Sequence, residues 1–222
     1  MNMRVVGAMW VQELRNFFSL SWWARFLFFT WRRLARIWRS PYFLLTVIWL
    51  QIICLWGGVA PSRVGCFCFD PSMIGVMRLA LGLVQVWYVY LVVMLARVSL
   101  YPATAESFRR IEQERGLAWL LQLLVPCILL IFLLDIPAVW PFVCLWALVA
   151  ADSNFLGIGF FWRLSSCAIY WVVFHAPVIA LLVAVAYWAA YFFGSALALH
   201  FAIFPSFLAA MSVVYTQGLA QA

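Results

Sequence analysis

The sequence predicts an all-α polytopic membrane protein: five or six membrane helices, the last of them a long tilted C-terminal hairpin, behind an N-terminal amphipathic interfacial helix. Three observations predict it. Of 222 residues, 68% are hydrophobic and only 9% charged, with a mean hydropathy of +1.05; a soluble domain carries about 25% charged residues. Uncharged runs of membrane-spanning length recur along the chain. After Arg163 there is no Arg, Lys, Asp or Glu in the remaining 59 residues. A water-soluble fold of this size could not cover so much apolar surface with so few polar groups, and disordered chains and disulfide scaffolds are excluded on the same grounds.

The first element is basic. All 14 cationic residues of the chain are arginine, and residues 1–39 hold seven of them against one acid, Glu13. At 100° per residue, Arg25, Arg32, Arg36 and Arg39 fall on one narrow helical face, while Phe28, Phe29, Trp31 and Trp38 point elsewhere. This is the pattern of a helix in the headgroup layer, with its basic side toward anionic lipid. Arg33, Arg36 and Arg39 also recur every third residue, as in a voltage sensor. A sensor needs buried acids on neighbouring helices, and Glu13 is the only acid before Asp70. The surface helix is therefore preferred, and the chain divides into a basic interfacial segment, 1–39, and a single transmembrane domain, 40–222. Arg4, Glu13 and Arg15 interrupt the first turns, so no cleavable signal peptide is expected.

The spans follow in order. Ser40 to Ser62 is a 23-residue run without a charge, enough for about 35 Å of helix. A short loop carries Arg63, Cys66, Cys68 and Asp70. Cys66-x-Cys68 lacks nearby ligands for a metal site, and no metal is expected. Leu79 to Ala96 gives 18 uncharged residues and a return crossing. Residues 101–115 are the most polar stretch and read as an exposed connector. Gly116 to Leu134 offers 19 uncharged residues before Asp135, and Ile136 to Ala151 a further run ending at Asp152. The uncharged tail must then cross at least twice or form very long tilted helices, with its best turn at Phe193-Gly194-Ser195 and kinks at Pro177 and Pro205. The arginine distribution places the N-terminus, and the 109–115 loop, on the cytoplasmic or matrix side.

Ionisable groups inside a span are costly and mark candidate sites. They are Asp135, Asp152, Arg163, His175 and His200. A guanidinium in mid-membrane costs about 2.5–3.5 kcal/mol on insertion scales and cannot shed its charge, so it needs a carboxylate or a wet cavity. Alternatively Arg163 ends a helix and snorkels to the interface near Asp152; the two aspartates then cap helices and the histidines pack between them. Two histidines could ligate one b-type haem but not two. No HExxH, P-loop or dinucleotide fingerprint is present.

The C-terminal third, roughly residues 130–215, resembles subunit a of the F-type ATP synthase, the stator that carries protons past the rotor ring. The resemblance rests on Arg163-Leu164 at the head of a hydrophobic hairpin, on His200 in Leu199-His-Phe-Ala-Ile, on the terminal Val214-Tyr215, and on Asp152 ahead of the arginine. The chain departs from the family pattern at Cys167, where Asn is usual, at Val172, where an acid or His is expected, and at Phe207, where Gln is usual. Its predicted orientation is also opposite to that common in the family. The resemblance implies that Arg163 partners a rotor carboxylate, that His175, His200, Asp152 and Asp135 line the proton path, that no cofactor is needed, and that there is no active site within this chain alone. The implied partners are the ring of carboxylate-bearing helices, other membrane subunits and anionic lipid at Arg25, Arg32, Arg36 and Arg39, with no nucleic acid. The implied location is the mitochondrial inner membrane or a bacterial plasma membrane. The alternatives are a non-catalytic structural subunit of a respiratory-type complex and a small secondary transporter; the latter would usually show internal repeats, which are not found.

Overall fold

A computed structural model describes residues 3–56, 75–97, 121–122, 124–129, 139–152, 158–193 and 196–221. Among these residues nearly all are helical and none is in a strand. The helices are α1 (Met3–Phe17), α2 (Leu20–Arg39), α3 (Pro41–Trp56), α4 (Gly75–Arg97), α5 (Trp140–Asp152), α6 (Ile158–Phe174), α7 (Ala176–Phe193) and α8 (Ala196–Ala198). A π-helical turn (Leu199–Ile203) and α9 (Phe204–Gln221) complete the chain.

Three of these helical stretches are long and apolar enough to cross a membrane, Leu79–Ala96, Ala176–Phe193 and Leu199–Thr216, or four if the bent α2–α3 pair is one span. The protein is therefore membrane-embedded, with fewer crossings among the described residues than the five or six expected. Most of the Gly116–Leu134 run lies outside them. At 13 residues, α5 is about 20 Å long, too short to cross on its own.

Between α1 and α2 the chain turns at Phe18 and Ser19. Ser19 is extended (φ −88°, ψ 119°), and its carbonyl accepts the N–H groups of Trp22 and Trp23, each at 3.1 Å. The Trp23 indole then reaches back to the Phe17 carbonyl at 2.6 Å. The helix so started has three faces. Arg25, Arg32 and Arg39 are exposed along one, Leu20, Leu27, Phe28 and Trp31 are exposed along a second, and Trp22, Phe26, Arg33, Leu34 and Ile37 are buried along the third. The first two are what an interfacial helix shows to headgroups and to hydrocarbon. The third packs on α4 and α9.

The elbow between α2 and α3 is written in two residues. Pro41 disfavours helical backbone at the residue before it, and Ser40 is accordingly extended (φ −74°, ψ 119°). Pro41 itself suits the first position of the next helix, where its missing N–H costs nothing. The axes of α2 and α3 differ by 70°.

The hub of the packing is α9 with the π-turn. Leu199, Phe204, Phe207, Leu208, Ala209, Ala210, Met211, Val213, Val214 and Tyr215 are all buried, and α9 touches α2, α4, α5 and α7. The second half of α4 is buried nearly all round, from Tyr88 to Met94. By contrast α6 and α7 lie at the periphery. They are separated at His175, where Pro177 cannot donate to the carbonyl four residues back; the Ile179 N–H bonds to the His175 carbonyl at 3.0 Å and α7 restarts from there.

Candidate functional site

The π-turn is the most unusual piece of backbone among the described residues. The Phe204 N–H bonds to the Leu199 carbonyl, five residues back, so the His200 carbonyl loses the donor that an α-helix would give it. Pro205 follows and has no N–H, so it serves neither His200 nor Phe201. Two carbonyls thus lose their α-helical donors, one at buried His200, where an unmade bond is costly, and one at exposed Phe201. Each is taken by a side chain from another helix. The Tyr88 hydroxyl of α4 donates to the His200 carbonyl, and the Trp38 indole of α2 donates to the Phe201 carbonyl at 2.8 Å. Such π-turns within helices are frequent at functional sites.

His200 sits inside this arrangement, 1% exposed. The Tyr88 ring meets its imidazole edge-on, with centroids 5.3 Å apart at 88°. Tyr88 in turn contacts Phe43 and Phe204, and Trp140 of α5 packs edge-on against Phe204 and Phe207. The other histidine, His175, is also buried (2% exposed) at the α6–α7 break, with Tyr170 edge-on at 5.5 Å. It immediately precedes α7, whereas His200 follows the end of α7 by seven residues. Much of the roughly 27 Å length of α7 lies between the two rings. One haem cannot be ligated from both ends of such a helix, so the two histidines do not form an axial pair. No group of three or more metal-binding side chains occurs among the described residues.

Arg163 is the sixth residue of α6, about 8 Å along the axis from its start. The helix packs on α1, α5 and α7. Asp152 is the last residue of α5, which packs against α6. Asp135, Cys66 and Cys68 lie outside the described residues.

A different arginine is the best-defined charged group. Arg33 of α2 is 7% exposed and donates from Nη1 to Ser212 Oγ at 2.7 Å and from Nη2 to Thr216 Oγ1 at 2.9 Å. Both hydroxyls spend their own hydrogens on α9, Ser212 on the Ala209 carbonyl (2.7 Å) and Thr216 on the Val213 carbonyl (3.0 Å). Their lone pairs are therefore free for the guanidinium, whose planar fork spans the i, i+4 pair. The sequence did carry a signal for this residue: Arg33 lies 80° from the ridge of Arg25, Arg32, Arg36 and Arg39 and falls among Trp22, Phe26 and Ile37. Of the ridge itself, Arg25, Arg32 and Arg39 are exposed and Arg36 is half-buried.

The chain matches no protein-family model, no curated protein and no solved structure.

Proposed function

We propose that the chain is an integral membrane subunit of an energy-transducing complex, carrying protons in the manner of the stator subunit a of an F-type ATP synthase. The observation that supports this most is the pair of buried histidines at the two ends of α7, an apolar helix of spanning length, on the same hairpin as Arg163. Two half-channels need titratable groups near opposite faces of the membrane and a fixed positive charge between them. His175 and His200 fit the first requirement, and Arg163 is the proposed fixed charge, with Asp152 and Asp135 as further members of the path. The proton enters one half-channel, neutralises a rotor carboxylate, and leaves by the other. Arg163 holds the deprotonated carboxylate and blocks direct leakage. The step needs no cofactor. The bare outward face of α6 and α7 is available for a ring of helices, and the basic ridge of α2 for anionic lipid. The membrane would be the mitochondrial inner membrane or a bacterial plasma membrane.

A second reading, a non-catalytic structural subunit of a respiratory-type complex, is favoured by the packing of α6, which touches α1, α5 and α7 of its own chain.

One substitution separates the two. Arg163→Gln in the native complex is expected to abolish proton-driven ATP synthesis while the subunit still co-migrates with the assembly. Coupling that survives the substitution leaves only the structural role.

A further inference from the structure

We propose that the groove between α3 and α4 holds one acyl chain of an anionic phospholipid, whose phosphate is bound at Arg39 of the α2–α3 elbow. The inference needs only the membrane-embedded architecture and is independent of proton transport. The groove has a volume of about 250 Å³ and is lined by Tyr42, Leu45, Thr46, Trp49, Val84 and Trp87. That is just below the roughly 300–1,000 Å³ of pockets for drug-sized ligands, so it suits a single hydrocarbon chain. Its one aliphatic hydroxyl has no proton left for a polar ligand, because Thr46 Oγ1 donates to the Tyr42 carbonyl at 2.7 Å. Four of the six lining residues, Tyr42, Leu45, Trp49 and Trp87, are at least half exposed, so the chain's own fold leaves the groove open along its length. Walls of this kind accept hydrocarbon.

The charge at one end selects the headgroup. Tyr42 lies at the elbow end of the groove, three positions along the chain from Arg39, a reach of at most about 11 Å. Arg39 is exposed, Arg36 stands one turn behind it, and the sequence from residue 14 to 69 contains no acid. A phosphate at the elbow therefore meets positive charge without local competition, and α3 leads down from it at 70° to α2. An anion at the top and an alkyl chain below is the shape of an anionic phospholipid.

The test uses the full-length chain in phosphatidylcholine vesicles doped with phosphatidylglycerol or phosphatidylcholine that carries a photoactivatable acyl chain. Cross-linked peptides are mapped by mass spectrometry. The phosphatidylglycerol probe is expected to label residues 42–49 and 84–87 about fivefold more than the phosphatidylcholine probe, the factor for one basic residue near an anionic surface. Arg39→Gln should remove that preference, and Leu45→Trp, at an exposed position, should fill the groove and abolish labelling there by both probes. Labelling of the exposed face of α7 should be unchanged in both variants, which shows that the fold is intact. Equal labelling by the two probes, a preference that survives Arg39→Gln, or a groove that stays unlabelled while α7 is labelled would each overturn the proposal.

Discussion

Two helices of the C-terminal third, α7 and α9, are each 18 residues long, and both belong to stretches apolar enough to span a membrane. Their surroundings are opposite. Of the residues from Leu199 to Thr216, 72% are buried within the chain, against 11% of those in α7, although α7 is the more apolar. A soluble protein would reverse that order. In lipid the tails are as apolar as leucine, so apolarity gives a helix no reason to seek the protein interior, and close packing decides instead. α9 buries large and small residues together, among them Phe204, Phe207, Leu208, Ala209, Ala210, Met211 and Ser212, whereas α7 turns Leu181, Val185, Tyr187, Trp188, Tyr191 and Phe192 outward. The aromatic end of α7, with Trp188 stacked on Phe192 at 5.5 Å, has the composition of an interfacial belt.

The sharpest way to break this contrast is to truncate one leucine on each helix. Leu208 of α9 is fully buried, and Leu208→Ala is expected to cost about 2–5 kcal/mol through lost contacts and a residual cavity. Leu181 of α7 is 41% exposed, and Leu181→Ala should fall within about 0.5 kcal/mol of the parent. Unfolding midpoints of the purified chain in mild detergent measure both. Equal losses would mean that α7 is held as tightly as α9, and the comparison would fail.

What was legible beforehand follows the same division. Backbone punctuation could be read, because Pro and Ser act locally: the Ser40-Pro41 elbow, the break ahead of Pro177, and the end of α7 at Phe193 with a new helix from Ala196. The basic ridge could be read because charge in an apolar chain is conspicuous. The inward faces of α7 and α9 could not, since hydrophobic periodicity disappears when both the core and the solvent are apolar. The same holds for His200, whose flanks look alike in sequence although its carbonyl is claimed from α4. The burial of Arg33 was half legible. Its register set it apart from the ridge, but its acceptors lie about 180 residues away and are ordinary hydroxyls.

Arg33 sharpens the comparison, since α2 grips α9 through it. Arg33→Ala removes two hydrogen bonds to a charged donor, each worth about 1.5–3 kcal/mol before non-additivity. Ser212 and Thr216 keep their bonds to the Ala209 and Val213 carbonyls, so no buried hydroxyl is orphaned, and losing a buried charge offsets part of the cost. A net loss of about 2 kcal/mol is expected in the same unfolding measurement. Ser212→Ala in the Arg33→Ala background should then add much less than it does alone, and a double-mutant cycle with no coupling would contradict the observed contact.

The most local expected effect concerns the π-turn that begins the buried stretch. Tyr88→Phe keeps the ring against His200, Phe43 and Phe204 and deletes only the hydroxyl that donates to the His200 carbonyl. An α-helix could recover from such a loss through its own ladder. Here it cannot: the Phe204 N–H is committed to Leu199, and Pro205 has none to offer. The carbonyl is left buried without its donor, at a cost of about 1–3 kcal/mol, unless the turn rewinds to ordinary α-helix so that Phe204 donates to His200. Rewinding would rotate every residue on the N-terminal side of Phe204, His200 included, by about one position relative to α9. Amide hydrogen exchange distinguishes the outcomes. Faster exchange confined to 199–205 means that the turn persists with a weakened bond, whereas unchanged exchange together with unchanged stability would mean that Tyr88 does not hold the π-turn at all.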